Sequence, residues 1–263
     1  MKALTISTFG LVMLLALTPV LQTGCQTMSK EERQAKRAAK KKSKKGNKAR
    51  SGPDLTPVVP QRDSYGRVNT SLPFLAITFD DGPHPTNTPR LLDILKAHDV
   101  KATFFVVGTN ARRYPQILRR MIAEGHEIGN HTLDHAKLTN LSPAAVEKEL
   151  GVTHQTILDA TGVAPRLMRP PYGAITASQK SWIKKKFGYP SILWSVDPED
   201  WKRPGVSVVT SRLVSGARPG GILLAHDIHK PTIDAIPAVL QQLKQRGFQF
   251  VTVSQLIALD GKG

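Results

Sequence analysis

The sequence predicts an α/β fold in which parallel strands close into a barrel. Short apolar or β-branched runs, typical of buried strands, recur after residue 72. Segments with helical spacing separate them, and this alternation implies a parallel sheet. The regular spacing, without a Gly-rich dinucleotide-binding motif, favours a barrel over an open sheet. The seven predicted strands cover residues 75–80, 103–107, 127–130, 166–169, 191–196, 222–226 and 248–253.

Residues 1–25 have the layout of an export signal. Lys2 precedes an apolar run over residues 3–21, and small residues follow. Cys25 is the only cysteine, which excludes an internal disulfide. The segment resembles a bacterial lipoprotein signal, in which this cysteine is lipidated, although Gln22 stands where that pattern has Leu. A cleaved signal without lipid and an uncleaved anchor are the alternatives, and all three place the rest of the chain outside the cytoplasm.

Residues 26–72 are expected to form a largely disordered tether, basic at first and then Pro-rich. Residues 30–50 contain eleven Lys or Arg against two Glu, and they supply most of the formal charge of +17. The segment lacks the apolar residues that a core requires. A solvated spacer is the simplest interpretation, and contact with an anionic envelope surface is the alternative. Export argues against nucleic acid as a partner. A single catalytic domain is expected over residues 73–263.

The first predicted strand of this domain ends at Asp80 and is followed by Asp81-Gly82-Pro83. Because neighbouring side chains of a strand point to opposite faces, both carboxylates can serve one site only if the backbone leaves strand geometry there. Gly82-Pro83 is a turn signal that permits this. Two adjacent acids can divide metal binding and proton transfer between them if their environments separate their pKa values. A solvated turn is the alternative interpretation.

Helices are expected between the strands. Apolar residues have helical spacing around residues 91–95, 117–122 and 146–158. Two starts are marked, by Asn87 ahead of Pro89 and by Ser142 ahead of Pro143. The C-terminal ends of the strands, where a barrel of this kind carries its site, then lie at one rim.

A pair of histidines follows the third predicted strand. His131 and His135 are four residues apart, so they face the same way if their segment makes one helical turn. With Asp81 or Asp80 they would form a three-ligand metal site with one open position, which is the catalytic arrangement for zinc.

Polar residues also follow the next three strands. They are Arg169-Pro170-Pro171-Tyr172, Asp197-Pro198-Glu199-Asp200-Trp201 and Leu224-Ala225-His226. Together with the Asp80-Asp81 and His131–His135 stretches, these resemble in order the five motifs of the polysaccharide deacetylases, carbohydrate esterase family 4. The resemblance covers residues from about 74 to 256. It implies the distorted (β/α)7-type barrel of the polysaccharide deacetylase fold and a metal-dependent hydrolase that acts on carbon–nitrogen bonds of acetylated sugars.

The resemblance also implies a role for individual residues. Asp81, His131 and His135 would hold a divalent metal, for which zinc is expected, while cobalt, nickel or manganese also suit such ligands. Asp80 would be the general base, paired with Arg169. His226 would be the general acid and Asp197 would orient it, although the residues alone do not decide between Asp197 and Asp200. Tyr172, Trp201 and Leu224 would bind substrate, and Trp194 is assigned to core or helix packing.

The expected function is removal of N-acetyl groups from GlcNAc-containing polysaccharide of the cell envelope, with peptidoglycan as the first candidate. Acetate and a free amino sugar would be the products. Chitin oligosaccharide, poly-N-acetylglucosamine and acetylated xylan are alternative substrates. A non-catalytic glycan-binding envelope protein on the same barrel is the alternative of another class. We expect an exported monomer, in the periplasm or outside the cell, anchored to the membrane through Cys25.

Overall fold

The computed structural model describes residues 52–263, together with residues 30 and 34. The predicted export signal lies outside these residues, as does nearly all of the basic part of the predicted tether. No helix in the described part of the chain combines the length and apolar character that a membrane span requires. Residues from Pro53 to Gly263 form one compact unit.

The centre of the sheet is β2 (Phe74–Asp80), a strand that is buried along its whole length. It pairs in parallel with β3 (Thr103–Val106) and with β6 (Gly221–His226), and β4 (Glu127–Asn130) pairs with β3. Two short strands, β1 (Ser64–Tyr65) and β5 (Ser191–Ile192), pair with each other, and β7 (Gln249–Phe250) pairs with the start of β2. The predicted α/β fold with parallel strands is confirmed.

Isolated parallel bridges continue the pairing around the barrel. They join Asn130 to Met168, Met168 to Ser191, and Val196 to Leu223 on β6. The strand predicted over residues 166–169 is therefore wrong, since only Met168 makes strand-like pairs there. Two consecutive prolines follow Arg169, and a proline has no N–H to donate to a ladder.

The strand predicted over residues 191–196 is also shorter than expected. Only Ser191 and Ile192 form β5, and Val196 contributes a single bridge. Carbonyl oxygens of Ile192 and Leu193 accept hydrogen bonds from the Arg169 side chain, so this segment is held partly by a guanidinium.

Helices surround the strands. They are α1 (Asn87–Ala97), α2 (Gly108–Arg113), α3 (Pro115–Ala123), α4 (Pro143–Thr161), α5 (Ala177–Phe187), α6 (Val206–Gly216), α7 (Lys230–Gln245) and α8 (Val253–Ile257). Single 3₁₀ turns cover Leu138–Asn140, Pro171–Gly173 and Asp200–Lys202. The predicted starts are confirmed, because α1 begins at Asn87 and the Ser142 hydroxyl accepts a hydrogen bond from the Ala145 N–H at the start of α4.

Side chains alternate between the two faces of β2, and this alternation decides which of them point towards the cluster of polar residues at the ends of the strands. Leu75, Ile77 and Phe79 belong to the large core that includes apolar residues of α1 and α7. Ala76 packs instead in a second cluster with residues of the other strands. Because side chains two apart share a face, Asp80 lies on the same face as Ala76. The register also sets Asp80 opposite His226 on β6.

The folded domain begins earlier than the predicted boundary at residue 73. Tyr65 and Val68 are buried, and Tyr65 lies opposite Ile192 in the β1–β5 pair. The Tyr65 hydroxyl also accepts hydrogen bonds from the N–H groups of Gln61 and Arg62. The prediction failed because two isolated apolar residues in a polar stretch show no periodicity.

Candidate active site

Asp80 and Arg169 form a buried ion pair at the end of β2. Asp80 is 3% exposed, and its Oδ1 lies 2.7 Å from Arg169 Nη1. The same guanidinium donates to Thr78 Oγ1 at 2.7 Å and to the carbonyl oxygen of Ile192 at 3.1 Å. It also stacks over the Phe105 ring, 4.2 Å from its centroid. These contacts fix Arg169, which in turn fixes the Asp80 carboxylate.

Asp81 leaves the strand at once. Its φ of 74° is left-handed, so its side chain turns towards the two histidines of the predicted metal site. Asp81 Oδ1 lies 3.4 Å from His131 Nε2 and 3.2 Å from His135 Nε2. The Asn110 side chain holds the Asp81 carbonyl oxygen at 2.8 Å. Burial raises the pKa of Asp81, but the interactions with His131 and the other nearby histidines outweigh it and lower that pKa to about 2.

The donor atoms of these three residues fit a divalent metal. One atom from each of Asp81, His131 and His135 lies within 4.8 Å of the others. Asp81 Oδ1 is buried and makes no well-formed hydrogen bond with any described residue. The Nδ1 atoms of the histidines contact Arg169 O at 2.8 Å and Tyr172 Oη at 3.2 Å, which leaves both Nε2 atoms facing Asp81. Two imidazoles and one carboxylate suit a divalent metal, and the Nδ1 contacts orient both rings as the contacts behind metal-binding histidines usually do.

The two histidines do not lie on a helical turn, so the condition under which their spacing would place them on one face is not met. The segment between them is an irregular loop, in which Thr132 and His135 have left-handed φ values of 66° and 65°. The rings nevertheless converge, with centroids 5.0 Å apart. The convergence of the rings therefore comes from the left-handed loop and not from helical spacing.

His226, at the end of β6, is bound to Asp200. The ring Nδ1 of His226 lies 2.7 Å from Asp200 Oδ1, and the backbone N–H of His226 donates a hydrogen bond to Asp200 Oδ2 at 2.8 Å. Thr232 Oγ1 also donates to Oδ2, at 2.8 Å. Burial lowers the pKa of His226, but the Asp200 carboxylate raises it more, to about 9. The Asp200 carboxylate thus favours the protonated imidazole.

Asp197 does not orient His226, which corrects the predicted pairing. Asp197 is exposed, and its Oδ1 accepts a hydrogen bond from the Glu199 N–H at 2.7 Å. A left-handed Glu199, with φ of 52°, precedes the 3₁₀ turn that carries Asp200 inward. Asp197 instead lines the cavity described next.

A cavity of about 400 Å³ joins these groups. Its lining residues are Asp80, Asp81, His131, His135, Tyr172, Trp194, Asp197, Trp201, Leu224 and His226. Tyr172 and Trp201 stand at the rim, 68% and 53% exposed, whereas Leu224 is buried. Trp194 is assigned to packing on sequence, but it lines this cavity. Its ring centroid lies 5.7 Å from the Arg169 guanidinium carbon.

Asp227 lies beneath the turn that carries Asp81. Its carboxylate is fully buried and accepts a hydrogen bond from Thr88 Oγ1. Burial raises the pKa of Asp227 to about 7. A Cβ at position 82 would collide with both carboxylate oxygens, so the close approach of this carboxylate requires glycine there.

Comparisons with known proteins agree with this geometry. The family model described as polysaccharide deacetylase matches residues 67–192. The chain is 43% identical over 182 residues to the peptidoglycan-N-acetylglucosamine deacetylase PgdA of Listeria monocytogenes, covering 69% of this chain and 38% of that relative. It is 39% identical over 218 residues to a chitooligosaccharide deacetylase of Bradyrhizobium, covering 77% of this chain and 99% of that relative.

A solved structure is also similar. The peptidoglycan deacetylase PdaC of Bacillus subtilis superposes with a TM-score of 0.66 and 38% identity, over 78% of this chain and 92% of that one. The chain spans less than two fifths of the length of the Listeria relative, so the similarity there concerns one part of a longer protein.

Proposed function

The chain belongs to the polysaccharide deacetylase family, and from this we propose that it is a metal-dependent hydrolase that removes N-acetyl groups from peptidoglycan GlcNAc. Acetate and a free amino sugar would be the products. One observation carries the proposal: a single cavity is lined by the Asp80 carboxylate, by the three candidate metal ligands and by His226, whose Nδ1 is bound to Asp200. Base, metal site and acid are the groups that amide hydrolysis needs.

Asp81, His131 and His135 would hold the metal. Zinc suits two imidazoles and one carboxylate, and cobalt, nickel or manganese can occupy the same ligands. When bound, the ion supplies Lewis acidity towards the acetyl carbonyl and lowers the pKa of a water molecule.

Asp80 would act as the general base. Its carboxylate takes a proton from the water that attacks the acetyl carbon, and the Arg169 guanidinium, 2.7 Å away, holds that carboxylate in place for this step. The negative charge that develops on the acetyl oxygen would be stabilised in part by the backbone N–H of Tyr172. This residue has a left-handed φ of 60° in the turn beside His135.

His226 would act as the general acid. An amine leaves poorly unless its nitrogen is protonated, and the imidazolium that Asp200 stabilises can deliver that proton. Leu224 and the ring of Trp194 would bound the acetyl methyl, while the exposed rings of Tyr172 and Trp201 would cover the sugar.

Replacing Asp200 by Asn is expected to move the alkaline limb of the pH profile of kcat/KM to lower pH by about 1–3 units. The acid is active only while His226 is protonated, and the loss of the Asp200 charge lowers the pKa of His226. Asp197→Asn is the matched control, since Asp197 does not contact His226. Whatever its effect on rate, its alkaline limb should stay in place, and an equal shift in both variants would contradict the assignment.

We propose that the chain is exported and that its basic segment connects a membrane anchor to the folded domain, beside the wall polymers. A lone cysteine after a small residue at the end of an apolar run supports lipidation at Cys25. The basic side chains of the tether would meet anionic envelope groups. The enzyme itself is expected to act as a monomer.

Palmitate labelling in the producing bacterium tests the anchor. Labelling of the parent chain that Cys25→Ala abolishes, at equal protein level, is the expected result. Label that persists in the variant, or that is absent from both, would leave a cleaved signal or an uncleaved anchor instead.

Chitin oligosaccharide is the second candidate substrate, because the Bradyrhizobium relative is matched over 99% of its length. Acetate release from purified peptidoglycan and from chitin oligosaccharides, measured at equal acetyl concentration, tests the choice. Faster release from peptidoglycan supports the proposal. Faster release from chitin oligosaccharides, with little from peptidoglycan, would replace it with the second candidate.

A further inference from the structure

The loop between His131 and His135 owes its shape to groups outside it. Left-handed φ values at residues other than glycine are uncommon, and Thr132 is β-branched, which makes its conformation more unusual still. Such conformations persist only where the surroundings determine them. The separation of the two histidines therefore depends on whatever holds residues 132–134.

Two sets of contacts hold the loop, one from the start of α2 and one from the end of β4. The carbonyl oxygens of Thr132 and Leu133 accept hydrogen bonds from the N–H groups of Gly108 and Thr109, at 2.8 and 2.9 Å. The N–H of Thr132 donates to Asn130 Oδ1 at 2.9 Å. These contacts provide no hydrogen-bond acceptor for the backbone N–H groups of Leu133 and Asp134.

Glu149 satisfies both of them from α4. Its Oε2 accepts from the N–H of Leu133 at 2.8 Å and from that of Asp134 at 3.3 Å. The side chain is 8% exposed, so water cannot readily replace it. A single oxygen atom, Glu149 Oε2 on α4, therefore contacts the middle of the segment that joins the two histidines.

We propose that Glu149 is a positioning residue for the metal site. By binding the Leu133 and Asp134 N–H groups it holds the loop in the conformation that turns both histidine Nε2 atoms towards Asp81. Without this oxygen, two partly buried N–H groups lose their acceptor and the loop relaxes away from its left-handed geometry. The inference rests on the proposed metal site, but it concerns metal affinity rather than catalysis.

The test compares metal binding by the full chain and four variants. Dissociation constants for Zn²⁺ are measured by competition with a chromophoric chelator, and the visible spectrum of the Co²⁺ form reports the ligand geometry. Glu149→Ala is expected to weaken Zn²⁺ binding about 10–100-fold, the range found when groups behind metal ligands are removed. Glu149→Gln keeps an oxygen acceptor and should stay close to the parent.

Two further variants complete the comparison. Glu147→Ala removes a neighbouring carboxylate of the same helix, which is exposed and 2.5 Å from Lys186 Nζ, and it should bind Zn²⁺ like the parent. Glu149→Asp retains the charge but is too short to serve both N–H groups. It should weaken binding as Glu149→Ala does, and it replaces that variant if the alanine protein does not fold.

Unchanged Zn²⁺ affinity in a folded Glu149→Ala or Glu149→Asp protein would overturn the inference. So would a loss in Glu149→Gln as large as that in Glu149→Ala, because the acceptor would then not be what matters. A parent chain that binds no metal would overturn both this inference and the proposed site. The expected affinity losses in a chain that releases no acetate would support the positioning role and refute the proposed activity.

Discussion

Replacement of Asp80 by Asn should lower acetate release about 10²–10⁴-fold, the usual contribution of a general base. An amide cannot take a proton from the attacking water. The substitution changes little else, because an Asn oxygen can still accept from Arg169 Nη1, which now lies 2.7 Å from Asp80 Oδ1. Single-turnover acetate release measures the effect, and the Zn²⁺ dissociation constant checks that the neighbouring ligands are intact.

The choice of Asn matters because the partner of Asp80 is a buried cation. Removing one member of a buried ion pair can cost about 3–5 kcal/mol, so Asp80→Ala would confuse loss of the base with loss of stability. Asp93→Asn is the matched control, since Asp93 is an exposed carboxylate paired with Arg120 on the outer surface. It should leave acetate release unchanged. Full turnover in a folded Asp80→Asn protein would show that Asp80 is not the base.

Replacement of His135 by Ala should remove zinc binding and, with it, nearly all activity. Two donors would remain of the three that fit a catalytic site. Since a bound ion can lower the pKa of water from 15.7 to about 7, we expect acetate release to fall by at least about 10³-fold. Metal content after dialysis and acetate release from the same sample are the two measurements.

His98→Ala is the control for that variant, because His98 lies at the far end of α1 and does not line the cavity. It should retain both metal and activity. A His135→Ala protein that keeps one zinc per chain and normal turnover would remove His135 from the ligand set. Loss of activity with zinc retained would assign it another role.

The parts of this fold that could be predicted are those specified by local sequence. β2 is a mostly apolar run that ends at Asp80, just before the Gly82-Pro83 turn signal, so its end and the two adjacent carboxylates there follow from hydrophobicity and turn chemistry. The barrel follows from the alternation of strands and helices. His131 and His135 do meet, but through a left-handed loop and not through the helical turn on which their spacing argument depended.

The parts that could not be predicted depend on contacts distant in sequence. The sequence alone does not distinguish Asp197 from Asp200 as the partner of His226. The left-handed conformation of Glu199 and the 3₁₀ turn that follows direct Asp200 towards His226. Tyr65 shows no pattern in the sequence, yet it is buried against a strand more than a hundred residues later. Nothing in the sequence distinguishes Glu149 from the other carboxylates of its helix. Its role follows only from the contact of its Oε2 with the loop between the two histidines.

Acetate release by the metal-stripped full chain, before and after addition of zinc, tests the central claim most directly. Peptidoglycan is the substrate, and free amine is counted alongside acetate. We expect no release from the stripped chain, and release that returns with one zinc per chain and yields one amine for each acetate. A chain that binds one zinc but releases no acetate from peptidoglycan, chitin oligosaccharides or acetylated xylan would contradict it and favour a glycan-binding role.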